Sequence, residues 1–223
     1  MTSMRRTRLL IIFLVAVGPA PIPAQTTASN KWQSEIEKFE AADRQNPPAT
    51  GSVLFIGSSS IARWTSLAED LPGINVINRG FGGSELADST FYVDHIVVPY
   101  RPRMVVLYAG DNDLAHGRTP QQVFDDYEGF VSRVHRQLPG TRIAFISIKP
   151  SPSRAALIPL MKKANELIKT YDAKDKTLIY IDVFTPMLDK DGNPRAELFG
   201  PDALHMNRAG YDLWKSIISP YLR

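Results

Sequence analysis

A chain of 223 residues, 43% hydrophobic and 22% charged, has the composition of one folded domain with a full core and not of a disordered tail. It has no cysteine, which excludes disulfides, thiolate metal sites and a cysteine nucleophile. The formal charge of +3 equals the three arginines ahead of Leu9, so the rest of the chain is neutral and carries no basic stripe for nucleic acid.

Those arginines, Arg5, Arg6 and Arg8, precede the apolar run Leu9–Val17 and a Pro/Ala-rich stretch. This is the layout of a secretory signal, and the run is too short for a membrane span, which needs about 20 apolar residues. Cleavage after Ala24, or as late as Ala28, leaves a single domain over 25–223. The segment predicts export to the periplasm or beyond, with no membrane span once it is removed.

Next, Trp32, Ile36 and Phe39 recur at helical spacing, with Asn30 as a cap and Pro47–Pro48 as a stop. The pattern then changes. Short β-branched runs without polar alternation follow at 53–57 (VLFIG), 74–78 (INVIN), 104–110 (MVVLYAG), 142–148 (RIAFISI) and 178–184 (LIYIDVF). Strands buried on both faces read this way. Between and after them lie amphipathic helices: one opened by Thr119-Pro120 and closed by Pro139-Gly140, one with Pro159 near its start, and a last one capped by Asn207. Five strands alternating with helices predict an α/β domain: a three-layer α/β/α sandwich, flavodoxin-like, around a five-stranded parallel sheet.

Such sheets bind ligands beyond the carboxyl ends of their strands, and the unusual residues collect there. The first strand runs into Gly57-Ser58-Ser59-Ser60, the second into NRGFGGS (78–84), the third into GDND (110–113), and PDALHMN (201–207) precedes the last helix. Ser59 stands where the chain turns into a helix, with its hydroxyl exposed and its N–H at a helix start. Asp202, three residues before His205, can hold one ring nitrogen and leave the other to take the Ser59 proton. The N–H groups of NRGFGG and the Asn112 amide are candidate donors to an oxyanion. Ser58 and Ser60 read as turn and cap hydroxyls. Asp111 and Asp113 read as loop-stabilising carboxylates, with no metal or cofactor implied. His95 and His135 read as helix-surface residues. Arg79, His116, Lys149 and Arg154 are rim residues for which solvation is the default and substrate contact the minority reading.

These four segments resemble the four blocks of the SGNH hydrolases, also known as GDSL esterases and lipases. FIGSSSIARW is similar to the first block, VINRGFGGS to the second, YAGDND to the third and DALHMNRAGY to the fourth. The resemblance implies Ser59 as nucleophile, Asp202 and His205 as acid and base, and Ser59, Gly83 and Asn112 as oxyanion-hole donors. It also implies a carboxylic ester hydrolase working through an acyl-enzyme on a small-molecule, glycan or lipid ester. Ser58 departs from the pattern, standing where the family has the aspartate of Gly-Asp-Ser, as in an acetylhydrolase-like branch.

With no apolar insertion to form a lid, short acyl groups such as acetyl on carbohydrate or lipid are favoured. The alternatives are a lysophospholipase or thioesterase-type lipase of the same family, or a catalytically weak carbohydrate-binding relative. A phosphate-binding flavodoxin-like module would want a lysine in the first turn, which is missing. The sequence carries no signal for oligomeric state.

Overall fold

The computed structural model of the protein describes residues 30–223, so the segment read as an export signal, with both cleavage positions, lies outside the described residues. Helix α1 (Gln33–Gln45) comes first, and β1 (Val53–Gly57), β2 (Val76–Gly80), β3 (Met104–Tyr108), β4 (Arg142–Ile146) and β5 (Leu178–Ile181) follow. The short helices α2 (Ser59–Ala62) and α3 (Leu67–Asp70) join β1 to β2. Helices α4 (Leu86–Phe91) and α5 (Val93–Ile96) lead to β3, and α6 (Asp111–Ala115) and α7 (Pro120–Gln137) lead to β4. Helix α8 (Ile158–Asp172) connects β4 to β5, and α9 (Arg208–Ile218) closes the chain.

All strand pairs are parallel, in the order β2-β1-β3-β4-β5. The period of two along each strand divides the core. Leu54, Ile56, Val105, Leu107, Ile143 and Phe145 face Ile36 of α1, Val123, Tyr127 and Phe130 of α7, and Met161 and Ile168 of α8. Val53, Phe55, Met104, Val106, Ala144 and Ile146 face Ile61, Trp64, Trp214 and Ile218 on the other side. With both faces covered, each large side chain removed from water contributes about 1.5–3 kcal/mol, which is why these strands are continuous apolar runs. The result is the three-layer, flavodoxin-like α/β/α sandwich with a five-stranded parallel sheet.

The boundaries differ from the sequence reading in instructive ways. The second strand is Val76–Gly80 rather than 74–78, because β2 is an edge strand whose polar residues remain in the ladder. Three of its five residues are only half-buried, so an apolar run underestimates its end. Asn78 also donates to the Ile61 carbonyl (2.8 Å), fastening β2 to α2, and accepts from the Gly80 N–H (2.9 Å) of its own strand. The other three late strands stop two or three residues early, as their chains leave the ladder for the site loops. Asn30 is not the cap of the first helix; it opens a 3-10 turn, Asn30–Trp32, from which α1 continues. Thr119 and Asn207 do cap, accepting from the N–H groups of Gln122 and Gly210. Pro159 sits in the first turn of α8.

Candidate active site

The switch point of the strand order lies between β1 and β3, on either side of which the connections diverge, and the polar loops project from there. Gly57 ends β1 at φ +127, and a Cβ on it would lie 1.9 Å from the Tyr108 carbonyl oxygen of β3. Only glycine allows that approach, which lets the Ser58 N–H donate to Tyr108 O (3.0 Å) and turns the chain sharply into α2. Ser59 is therefore the first residue of a helix that starts at the sheet's rim.

Asp202 and His205 reach the same point from the far end of the chain. Ser59 Oγ lies 2.9 Å from His205 Nε2, and His205 Nδ1 lies 2.6 Å from Asp202 Oδ2. The other carboxylate oxygen, Asp202 Oδ1, accepts from the backbone N–H groups of Leu204 (3.0 Å) and His205 (2.9 Å). The His205 ring, then these two N–H groups, hold the Asp202 carboxyl well below the usual carboxylate range. An ionised carboxylate can only accept, so His205 Nδ1 carries the proton and Nε2 is left to accept from the Ser59 hydroxyl.

Two contacts outside the three residues set this meeting. Tyr211 Oη of α9 donates to the Ser60 carbonyl (3.0 Å), tying the helix after His205 to the one that carries Ser59. Arg208 donates to Asp70 of α3 (2.6 Å), which also accepts from the Trp64 indole (2.7 Å). Both residues stand in the DALHMNRAGY segment, yet no local signal marks these contacts, because the partners lie 151 and 138 residues away.

Gly83 and Asn112 stand together: a Cβ at Gly83 would meet Asn112 Nδ2 at 3.7 Å and nothing nearer. Asn112 Nδ2 donates to the Ser84 carbonyl (3.1 Å), and Asn112 Oδ1 accepts from Arg154 Nη2 (2.9 Å). Among the described residues, the backbone N–H groups of Ser59 and Gly83 are paired with no protein acceptor. Beneath Asn112, Asp111 Oδ2 is 3.3 Å from Lys149 Nζ and 3.1 Å from Arg154 Nη1. Burial alone would raise the Asp111 carboxyl, but the two cations leave it below its ordinary value. Asp113 Oδ1 accepts from the Leu86 N–H (3.0 Å), and burial pushes this carboxyl up to about 7.

Two of the rim residues, Lys149 and Arg79, stand elsewhere than on an open rim. Lys149 is not on an open rim: its side chain is 1% exposed, committed to Asp111. Arg79 lies within β2, not beyond it, and spends its guanidinium on Asp43 of α1 and on the Tyr100 hydroxyl. His116 is exposed and paired with Glu85. Arg154 is the rim cation that the structure brings onto Asn112. Ser58 occupies the cap position of α2, yet its side chain makes no cap bond and its Oγ is buried without a partner. Among the described residues no cluster of three metal-ligating side chains occurs, and no helix is long and apolar enough to cross a membrane.

The family of GDSL-like lipases and acylhydrolases matches this sequence over residues 49–213, a span that holds every residue of the cluster. Among solved structures, a proposed platelet activating factor from Streptococcus pneumonia shares 21% identity at a TM-score of 0.74, covering 86% of this chain and 94% of its own. A GDSL-like lipase from Bacteroides thetaiotaomicron shares 18% at 0.71, covering 85% and 97%. An acetyl esterase with bound acetate shares 15% at 0.60, covering 77% and 95%. Identities this low establish a common fold. No curated protein matches the sequence.

Proposed function

Because the chain belongs to the GDSL-like lipase/acylhydrolase family, we propose that it is a serine esterase whose nucleophile is Ser59, base His205 and orienting acid Asp202. The observation that carries this reading is the unbroken hydrogen-bond chain Ser59–His205–Asp202, assembled from residues 146 positions apart.

As Ser59 Oγ attacks the ester carbonyl carbon, His205 Nε2 takes its proton. Asp202 stabilises the resulting imidazolium without taking a proton itself. The carbonyl oxygen becomes an oxyanion facing the Ser59 and Gly83 N–H groups and the Asn112 amide. Groups placed in advance in this way contribute roughly 10²–10³ in rate each. His205 then protonates the departing alcohol. Water repeats the sequence on the acyl-enzyme to release the acid.

For the substrate, the proposal is a short acyl ester, acetyl on a carbohydrate or lipid alcohol. The bound acetate of the acetyl esterase with this fold supports that choice. The arginine-led apolar start of the chain supports export, which would put the enzyme among extracellular or envelope esters.

A fluorophosphonate probe should label Ser59 in the wild-type protein and leave Ser59→Ala unlabelled. Turnover of p-nitrophenyl esters should fall as the acyl chain lengthens beyond acetyl and butyryl. Folded protein that resists the probe would overturn the esterase reading. Faster turnover of long-chain esters or of a lysophospholipid would replace the acetyl assignment by a lipase one.

A further inference from the structure

The turn after β4, from Lys149 to Arg154, touches both halves of the site. The Ser153 N–H donates to the carbonyl of Ala203 (3.0 Å), midway between Asp202 and His205. Ala203 is one of two non-glycine residues among those described with a left-handed backbone, at φ 54, so this bond falls on a conformation that needs support. One residue later, Arg154 Nη2 donates to Asn112 Oδ1 (2.9 Å).

That second bond and the Ser84 carbonyl, which accepts from Asn112 Nδ2 (3.1 Å), together fix which way the Asn112 amide faces. A guanidinium has donors only, so the atom facing Arg154 must be the oxygen, and the amide nitrogen is turned toward Gly83 and Ser84. Without Arg154, only the Ser84 carbonyl opposes a half-turn rotation that would present the amide oxygen to a developing oxyanion, exchanging attraction for repulsion. Arg154 is itself fixed, its side chain 16% exposed and 3.1 Å from Asp111 Oδ2, and Asp111 is held from behind by the buried Lys149. The cluster thus places two cations against one carboxylate, and the surplus positive charge lies one hydrogen bond behind the amide. A charge-assisted bond to Oδ1 draws electron density from the amide and makes its N–H a stronger donor.

We infer that Arg154 is a positioning residue of the oxyanion hole, locking the Asn112 amide with its N–H toward the substrate and polarising it through the Arg154–Asn112 hydrogen bond. Arg154 touches no reacting atom in this arrangement; it acts through Asn112. The inference rests on the proposed role of Asn112.

The test is a double-mutant cycle on the full chain, read in kcat and KM for p-nitrophenyl acetate, with thermal unfolding recorded for each variant. Asn112→Ala should lower kcat by about 10²-fold. Arg154→Ala should lower kcat by about 10-fold or more with KM held within about two-fold, the signature of an interaction realised in the transition state. In the Asn112→Ala background, Arg154→Ala should cost nothing further in kcat, because the residue it acts through is gone. Arg154→Gln, which keeps a neutral donor and is the gentler change for folding, should fall between wild type and Arg154→Ala. Guanidinium ion in the assay should restore part of the activity of Arg154→Ala and none of the double variant.

Wild-type kcat in Arg154→Ala or Arg154→Gln overturns the inference, and so do losses that multiply in the double variant. If Asn112→Ala itself keeps full kcat, the oxyanion assignment of Asn112 fails first and takes this inference with it.

Discussion

The turn bearing Asp202 and His205 satisfies its carboxylate within three residues of chain and leaves the Asp202 side chain 48% exposed, whereas the loop bearing Asn112 buries Asp111 and satisfies it only through Lys149 and Arg154, 38 and 43 positions along the sequence. One arm is local and wet, the other long-range and dry. The difference separates two kinds of dependence. An exposed, self-satisfied turn can lose a functional group without loss of fold, because water takes over what is removed. A buried cluster cannot, since deleting one member leaves charges that nothing else solvates.

The largest expected effects lie at Ser59 and on the open arm that serves it. Ser59→Ala should reduce turnover by roughly 10⁴-fold or more while leaving the melting temperature nearly unchanged. Asp202→Asn should lose about as much, because an asparagine can keep the backbone N–H bonds of Leu204 and His205 through its oxygen but favours the wrong ring tautomer. A large drop in melting temperature for Asp202→Asn would show that the turn is structural after all, and the contrast between the arms would fail.

The buried arm should answer in stability. Asp111→Ala leaves Lys149 buried beside Arg154 with no counter-charge, a loss of about 3–5 kcal/mol. Lys149→Met leaves Asp111 paired with Arg154 and removes a buried ammonium, so its cost should be much smaller. Chemical denaturation of the two variants measures the pair. Equal losses would mean that the cluster is not organised around its single carboxylate.

This division also explains what could be read from the sequence. The sheet was legible because strands buried on both faces must be apolar throughout, and the Thr119 and Asn207 caps because capping is a local pattern. Asp202 and His205 stood out for the same reason, three residues apart in one loop. The second strand is displaced by two residues because it ends on Arg79 and Gly80, a charged residue and a glycine inside an edge strand, which an apolar run does not reach. Lys149 looked like a solvated rim lysine because a buried lysine is rare, and the carboxylate that allows it arrives from another strand's loop. Arg154 belonged to the same undifferentiated rim; only the assembled fold sets it on Asn112.

Titration should sharpen the contrast further, since Asp113 of the buried arm and Asp202 of the open arm shift in opposite directions. Asp113, beside Asn112, has its carboxyl raised by burial from 3.8 to about 7. The folded protein then holds this proton more tightly than the unfolded chain. The stability it contributes is complete below about pH 4 and is lost as pH rises through about 7. Asp202 has the reverse sign, lowered by His205 and the two N–H groups, so its contribution is present above about pH 4 and fades on acidification. Asp113→Asn keeps an oxygen for the Leu86 N–H and cannot ionise, so its melting temperature should exceed wild type at pH 8 and approach it at pH 4. An advantage that does not change with pH would mean that Asp113 stays charged in the fold.

The smallest effects come from the two helix caps, and they probe the comparison at its edge. Thr119 caps α7, and Thr119→Ala should cost about 1 kcal/mol with activity intact. Asn207 caps α9 two residues after His205, and its amide also donates to the carbonyls of Glu197 (2.8 Å) and Phe199 (3.0 Å). Asn207→Asp preserves the cap acceptor and deletes those two donors, so its stability cost should be of the same order. Its kcat should fall, because the deleted bonds hold the turn that aims His205 at Ser59. Matching melting temperatures with a kcat lowered only in the Asn207 variant would show that the open arm, though tolerant of lost groups, still depends on how its base is fastened to the last helix.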